Sequence, residues 1–327
     1  MRKYWWVVMS STLSVEKVGK LLQRAGFQVA NNLPSKSCFD LVARRDNLLM
    51  LLKVLANVDA LKDEQGRELR TLARLLSATP LVVGEKTRKS EMLDGVVYGR
   101  CGIPTINFST FRRFILEDVW PVALARRGGL YIRVDGEALR RAREGKGLSL
   151  GNLAERIGVS RKAIYEYERN EMDATLETAL KIEDELDADI IIPVDLSEWR
   201  SIYDYEEREE EGEEQEWEDE LEKEVFEALS DLGFKVILAR RAPFDALTAD
   251  QKEECLVVTG VGRASERTIE KRIIVLEKLS WVAQKLAMFV MDKNKKITGT
   301  RVPIFSKEEI ESMKEPEELL RRVQRSN

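Results

Sequence analysis

The apolar positions change their period along the chain, and each change marks an element. Val15, Val18, Leu21 and Leu22 recur at helical spacing and stop before Gly26, after which Phe27-Gln28-Val29 starts a strand. Phe39 to Ala43 and Leu48 to Val54 are apolar runs hinged at Arg45-Asp46-Asn47, the pattern of a hairpin. Leu69, Leu72, Leu75 and Leu76 line one face of a helix over 61–76, and Leu81-Val82-Val83 after Pro80 reads as a buried strand. Val96-Val97-Tyr98 and Pro104-Thr105-Ile106 predict two more short strands, and 110–117 a further helix. This order of helix, strands, helix and strand predicts an α/β domain on a mixed sheet, assigned to residues 1–128.

Next comes a segment, 129–200, whose period is helical. Ala138, Leu139 and Ala142 share a face, and a Gly-Lys-Gly break follows. Ser149 stands as N-cap to a second helix carrying Leu150, Leu153, Ala154 and Ile157 at spacings of three and four. Gly158 falls where a left-handed C-cap is needed, Val159 enters the core, and Ser160 caps a third helix over 161–168. Ile164 and Tyr167 point inward, leaving Arg161, Lys162, Tyr165 and Glu166 facing out near its start. Arg169-Asn170 makes the turn toward a fourth helix over 175–182. The β-branched run 189–194, closed by Pro193, is suited to pairing with its counterpart in a second copy or to packing beneath the helices.

The first pattern then returns. The run from Val15 to Leu22, Gly26-Phe27-Gln28-Val29 and Phe39-Asp40 is echoed by 222–229, Gly233-Phe234-Lys235-Val236 and Phe244-Asp245. The hairpin recurs over 246–258, the long helix over 267–285, and the buried strand as Met288-Phe289-Val290. Residues 221–327 therefore read as a second α/β lobe. In this alignment Asp245 matches Asp40, Val258 matches Lys53 and Leu256 matches Leu51, with Glu253 and Glu254 nearby.

Charge sharpens the picture. Over 126–169 there are 11 Lys/Arg against 6 Asp/Glu, in a chain of net charge −5. Such a local cationic excess suits phosphate contacts, which release counterions. Asp204 to Glu224 holds 14 acids and 2 bases, so 201–220 is expected to be a solvated acidic linker. A sharper reading makes it a DNA mimic that covers the basic helices. The chain has no His, which excludes Ser-His-Asp and Cys-His catalysis and His-ligated zinc. Cys38, Cys101 and Cys255 form no CxxC and predict neither a disulfide framework nor a zinc site. No apolar run approaches a membrane span, and the N-terminus lacks the features of a signal peptide, so a cytoplasmic protein without membrane contact is expected.

The caps, turn and core positions of 136–182 resemble the Cro-type (XRE) helix-turn-helix, a lambda-repressor-like domain. The resemblance implies binding to double-stranded DNA through Ser149, Ser160, Arg161, Lys162, Tyr165, Glu166, Arg169 and Asn170, with Arg143 and Glu168 as a structural ion pair. Leu150 departs from the Gln that often stands at its position. The order of elements before residue 128, with Asp40 and Lys53, resembles the restriction-endonuclease-like fold that includes Holliday-junction resolvases. Active members hold Mg²⁺ on acids corresponding to Glu16, Asp40 and one residue two before the Lys. That last place is Leu51 here, so Glu16, Asp40 and Lys53 read as vestiges, with no catalytic residue, metal or cofactor expected.

The fold class is thus α/β plus all-α: two nuclease-like lobes flanking a helix-turn-helix domain. The layout resembles a family of archaeal transcriptional regulators. Three readings follow: a DNA-binding regulator acting as a homodimer, a metal-dependent nuclease or junction resolvase targeted by the helix-turn-helix, and an interaction scaffold. Transcription machinery or a small effector are further candidate partners. The missing acid at Leu51 favours the regulator.

Overall fold

A computed structural model of the chain describes residues 13–31, 33–34, 37–199, 219–250, 255–293 and 297–326. The acidic run over 201–218 and the pair Glu253 and Glu254 lie outside the described residues. The chain divides into two compact units, one of Met1–Leu21, Val54–Lys62 and Thr79–Tyr205, the other of Leu22–Lys53, Asp63–Ala78 and Glu206–Asn327. No helix among the described residues is long and apolar enough to cross a membrane.

The first unit is built on strands β4 (Thr79–Lys86), β5 (Val96–Arg100), β6 (Ile103–Asn107), β7 (Ala123–Arg126), β8 (Gly129–Val134), β9 (Ala174–Thr175) and β10 (Ile191–Ile192). They follow the order β4-β6-β5-β7-β8-β10, with β9 paired to β8. Helix α3 (Phe108–Glu117) packs on β4 and β6. Residues of β6 are all buried, as expected of a strand covered on both faces.

Helices α4 (Gly136–Gly145), α5 (Leu150–Ile157), α6 (Arg161–Glu168) and α7 (Leu176–Leu186) match the four expected from the helical period. Their buried residues Leu139, Leu153, Ile157, Ile164 and Ile182 share one core with Val96, Ala123 and Ile132 of the sheet. The helical segment is therefore joined to the sheet by packing as well as by chain. The expected boundary at residue 128 falls inside the β7–β8 hairpin, which turns on Gly128 and Gly129 (φ +95° and +152°). The 189–194 run pairs within the chain, Ile191 with Val134 and Ile192 with Arg133.

The second unit holds the antiparallel ladder β1 (Gln28–Ala30), β2 (Leu41–Arg45) and β3 (Leu48–Asn57), whose last residues pass into the first unit, and helix α2 (Asp63–Leu76). Helix α1 (Val15–Arg24) is shared in the same way, its last three residues lying here. The repeat supplies α8 (Glu220–Asp231), β11 (Lys235–Leu238), β12 (Ala246–Ala249), β13 (Leu256–Gly262), α9 (Ile269–Ala283), β14 (Leu286–Met291), β15 (Ile304–Ser306), α10 (Lys307–Ser312) and α11 (Pro316–Ser326). Its sheet runs β11-β12-β13-β14-β15, antiparallel to β13 and parallel beyond. Helix α9 packs on β13 and β14 and also on β1 and β2.

Register confirms that the two copies share one pattern and corrects how they align. Leu41 pairs with Leu52 and Ala246 with Thr259. The amide of Asp40 donates to Leu52 O (2.7 Å), and that of Asp245 to Thr259 O (3.0 Å). Thr259 therefore stands for Leu52, Gly260 for Lys53 and Val258 for Leu51, two residues later than the sequence alignment gives. The cause is chain length: four residues separate the bonded Asp250 and Cys255 where two separate the paired Arg45 and Leu48, so everything after them shifts by two.

Candidate nucleic-acid interface

Caps fix the ends of the three helices. Asp135 accepts from the amides of Glu137 and Ala138, Ser149 Oγ from Asn152 N (3.1 Å) and Ser160 Oγ from Ala163 N (3.0 Å). Gly158 ends α5 at φ +78°, where a Cβ is disfavoured. Ser149 and Ser160 thus spend an oxygen lone pair inside the protein, and what they retain for a phosphate is the hydroxyl hydrogen.

Helix α6 is clamped at its C-terminal end. Arg143 of α4 donates from Nε to Glu168 Oε1 (2.5 Å) and from Nη2 to Glu168 Oε2 (3.1 Å), while Nη1 donates to Leu148 O (2.8 Å). Both side chains are only 9 % exposed. Hydrogen bonding to Glu168 raises the Arg143 pKa, so the guanidinium keeps its charge. One turn later Asn170, in the left-handed region at φ 57°, accepts on Oδ1 from Gly136 N (2.9 Å). A Cβ at Gly136 would lie 2.5 Å from Glu168 O, so only glycine lets α4 approach α6 this closely. No sequence pattern signals this contact, because it joins residues 32 apart in number through backbone alone.

The leading end of α6 faces solvent. Ile164 and Tyr167 are buried, and Arg161, Lys162 and Tyr165 are exposed. Lys162, itself highly exposed, lies 3.3 Å from the half-buried Glu166, and its ammonium can exchange that partner for a phosphate. Arg169 donates to Tyr165 Oη (3.1 Å) and Glu171 Oε1 (2.6 Å), and its guanidinium stacks on the Tyr165 ring. Much of the local cationic excess is neutralised: Arg126 pairs with Asp173, Arg141 with Glu137 and Arg156 with Glu185. Arg161 makes no ion pair among the described residues.

The nuclease-like residues do not assemble a metal site. Lys53, buried, donates to Asp40 Oδ1 (2.9 Å) and Ser37 O (2.7 Å). Leu51 is fully buried where an acid would supply an oxygen. Glu16 is committed to an exposed pair with Lys20, which lowers its pKa. Among the described residues no group of three or more His, Cys, Asp or Glu is placed to hold a metal ion. Mg²⁺ does not fit what stands here. The chain beside Asp40 is also occupied: Cys38 N donates to Arg241 O, and Arg241 N donates to Glu68 Oε1 (2.7 Å). In the second copy Asp245 is likewise neutralised, by Arg272 of α9 at 2.8 and 3.0 Å.

Comparison with known proteins places the same two patterns. The PD-(D/E)XK superfamily domain matches residues 12–121, and a helix-turn-helix domain matches residues 139–191. A protein of Thermococcus gammatolerans is 37% identical over 310 residues, covering 95% of this chain and 95% of its own length. One from Archaeoglobus fulgidus is 40% identical over 300 residues, covering 91% and 93%. One from Methanocaldococcus jannaschii is 34% identical over 306 residues, covering 93% and 93%. All three carry the provisional name of an HTH-type transcriptional regulatory protein.

Proposed function

Since the chain belongs to the family of archaeal HTH-type transcriptional regulatory proteins, we propose that it regulates transcription by binding specific double-stranded DNA as a homodimer in the cytoplasm. The observation that carries the reading is Arg161. It is a cation without an ion-pair partner among the described residues, at the leading end of a helix whose other end is clamped by Arg143–Glu168 and Asn170–Gly136. A guanidinium so placed can meet guanine O6 and N7 in a major groove. Lys162, Tyr165 and Glu166 follow it on the exposed face, and Ser149, Ser160, Arg169 and Asn170 border it as phosphate contacts. Two such helices about 34 Å apart read two half-sites, which is the reason for a dimer.

In this reading the nuclease-like lobes are scaffolds. Asp40 is held by Lys53, and Leu51 offers no oxygen. The test is selection of bound sequences from random duplexes, followed by affinity measurements on the selected site. Arg161→Ala weakens specific binding by about 1–3 kcal/mol and relaxes one position of the site. Lys162→Ala weakens selected and unselected duplexes alike and lowers the salt dependence. If Arg161→Ala leaves selected-site affinity unchanged, base reading by this helix is wrong.

A further inference from the structure

The outer face of α9 is nearly palindromic in its chemistry. Glu270, Ile274, Glu277 and Trp281 follow at helical spacing, and Lys285 lies just past the helix on the same side. Ile274 and Trp281 are 59% and 56% exposed, an unusual position for two large apolar side chains. They border an open groove of about 650 Å³ that Leu286 and Arg301 also line. Glu277 is held in place by Thr300 Oγ1 (2.9 Å) and the amide of Arg301, and Lys278 by Asn31 Oδ1 (3.1 Å).

An antiparallel copy of this stripe, related by a two-fold axis passing between Glu277 and Lys278, complements it at every step. Ile274 meets Trp281 of the partner subunit, Glu277 meets Lys278 of the partner subunit, and Glu270 meets Lys285 of the partner subunit. Each contact occurs twice, as an isologous interface requires. In a parallel register the same residues would set carboxylate against carboxylate and ammonium against ammonium. Charge complementarity thus selects a second copy, and one orientation of it.

We propose that two copies of this chain associate through antiparallel packing of their α9 helices. The proposal rests on the homodimer reading above and supplies its surface. Desolvated aromatic anchors dominate such interfaces, so Trp281→Glu raises the dimer dissociation constant at least about tenfold. Glu270→Lys and Lys285→Glu each weaken the homodimer, because each sets two like-charge pairs across the axis. An equal mixture of these two variants restores association, since the new lysine meets the new glutamate at one end and the native pair survives at the other.

Sedimentation equilibrium of the full chain reads all four cases, and unchanged circular dichroism melts establish that the exposed substitutions leave the fold intact. A dimer that persists in Trp281→Glu, or a mixture that fails to recover association, overturns this surface while leaving the homodimer standing. A wild-type chain that stays monomeric both free and on DNA removes the homodimer itself.

Discussion

Replacing Glu168 with alanine tests whether α6 is held by a buried ion pair or merely decorated by one. The substitution leaves the Arg143 guanidinium, 9 % exposed, with Leu148 O and a long contact to Glu144 at 3.4 Å. One-sided removal of a buried partner costs about 3–5 kcal/mol, because the remaining charge is uncompensated. The double variant Arg143→Met with Glu168→Leu removes both desolvation costs and is expected at or above the parental stability. Glu137→Ala, which breaks an exposed pair with Arg141, is expected to change nothing measurable. Amide hydrogen exchange over residues 136–170 reads this segment separately from the rest of the chain. A loss under about 1 kcal/mol in Glu168→Ala would refute the clamp, since that is the range of solvated pairs. So would a double variant as unstable as the single one.

Three further outcomes are expected. Gly136→Ala drives a Cβ to within 2.5 Å of Glu168 O, so it destabilises the segment by about 1–3 kcal/mol and weakens DNA binding, measured by exchange and by mobility shift. Burial raises the pKa of Glu68, so its ionised form is disfavoured in the fold. The native state then takes up a proton more readily than the unfolded chain, and the penalty is full at neutral pH and relieved as pH falls toward the ordinary glutamate value of about 4.3. Glu68→Gln therefore melts above the wild type at neutral pH, and the gap narrows on acidification; a gap that widens contradicts the assignment. Incubation of branched or duplex DNA with Mg²⁺ or Mn²⁺ yields no cleavage attributable to Asp40. Products that disappear in Asp40→Ala would restore the nuclease reading.

What the sequence made legible was local. Ser149, Gly158 and Ser160 cap and end helices by bonds within three or four residues, so their roles can be read from spacing alone. The repeat was legible as far as the Gly-Phe and Phe-Asp pairs reach, and the register failed between Asp250 and Cys255, where four residues stand for the two between Arg45 and Leu48, since strand pairing reports length only in space. β7 and β8 carry no clear period, because Ala123–Arg126 is four residues long and charged at its end, and the glycines after it suit a domain boundary. Gly136, the Asn170 cap and the neutralisation of the basic stretch depend on groups far apart in the chain meeting across the fold, which no periodicity encodes. Arg161 is one of eight residues that the helix-turn-helix pattern offers, and what singles it out is the pairing of Lys162 with Glu166 and of Arg169 with Glu171.

The Gly128–Gly129 hairpin also decides how the reading head can be handled. A fragment cut at that turn would strip β8 of its β7 neighbour and remove Val96 and Ala123 from beneath Ile132 and Leu139. The head is not a cassette. Exchanging it between relatives carries part of the sheet along, so retargeting to a new site goes most economically through single replacements on the exposed face of α6.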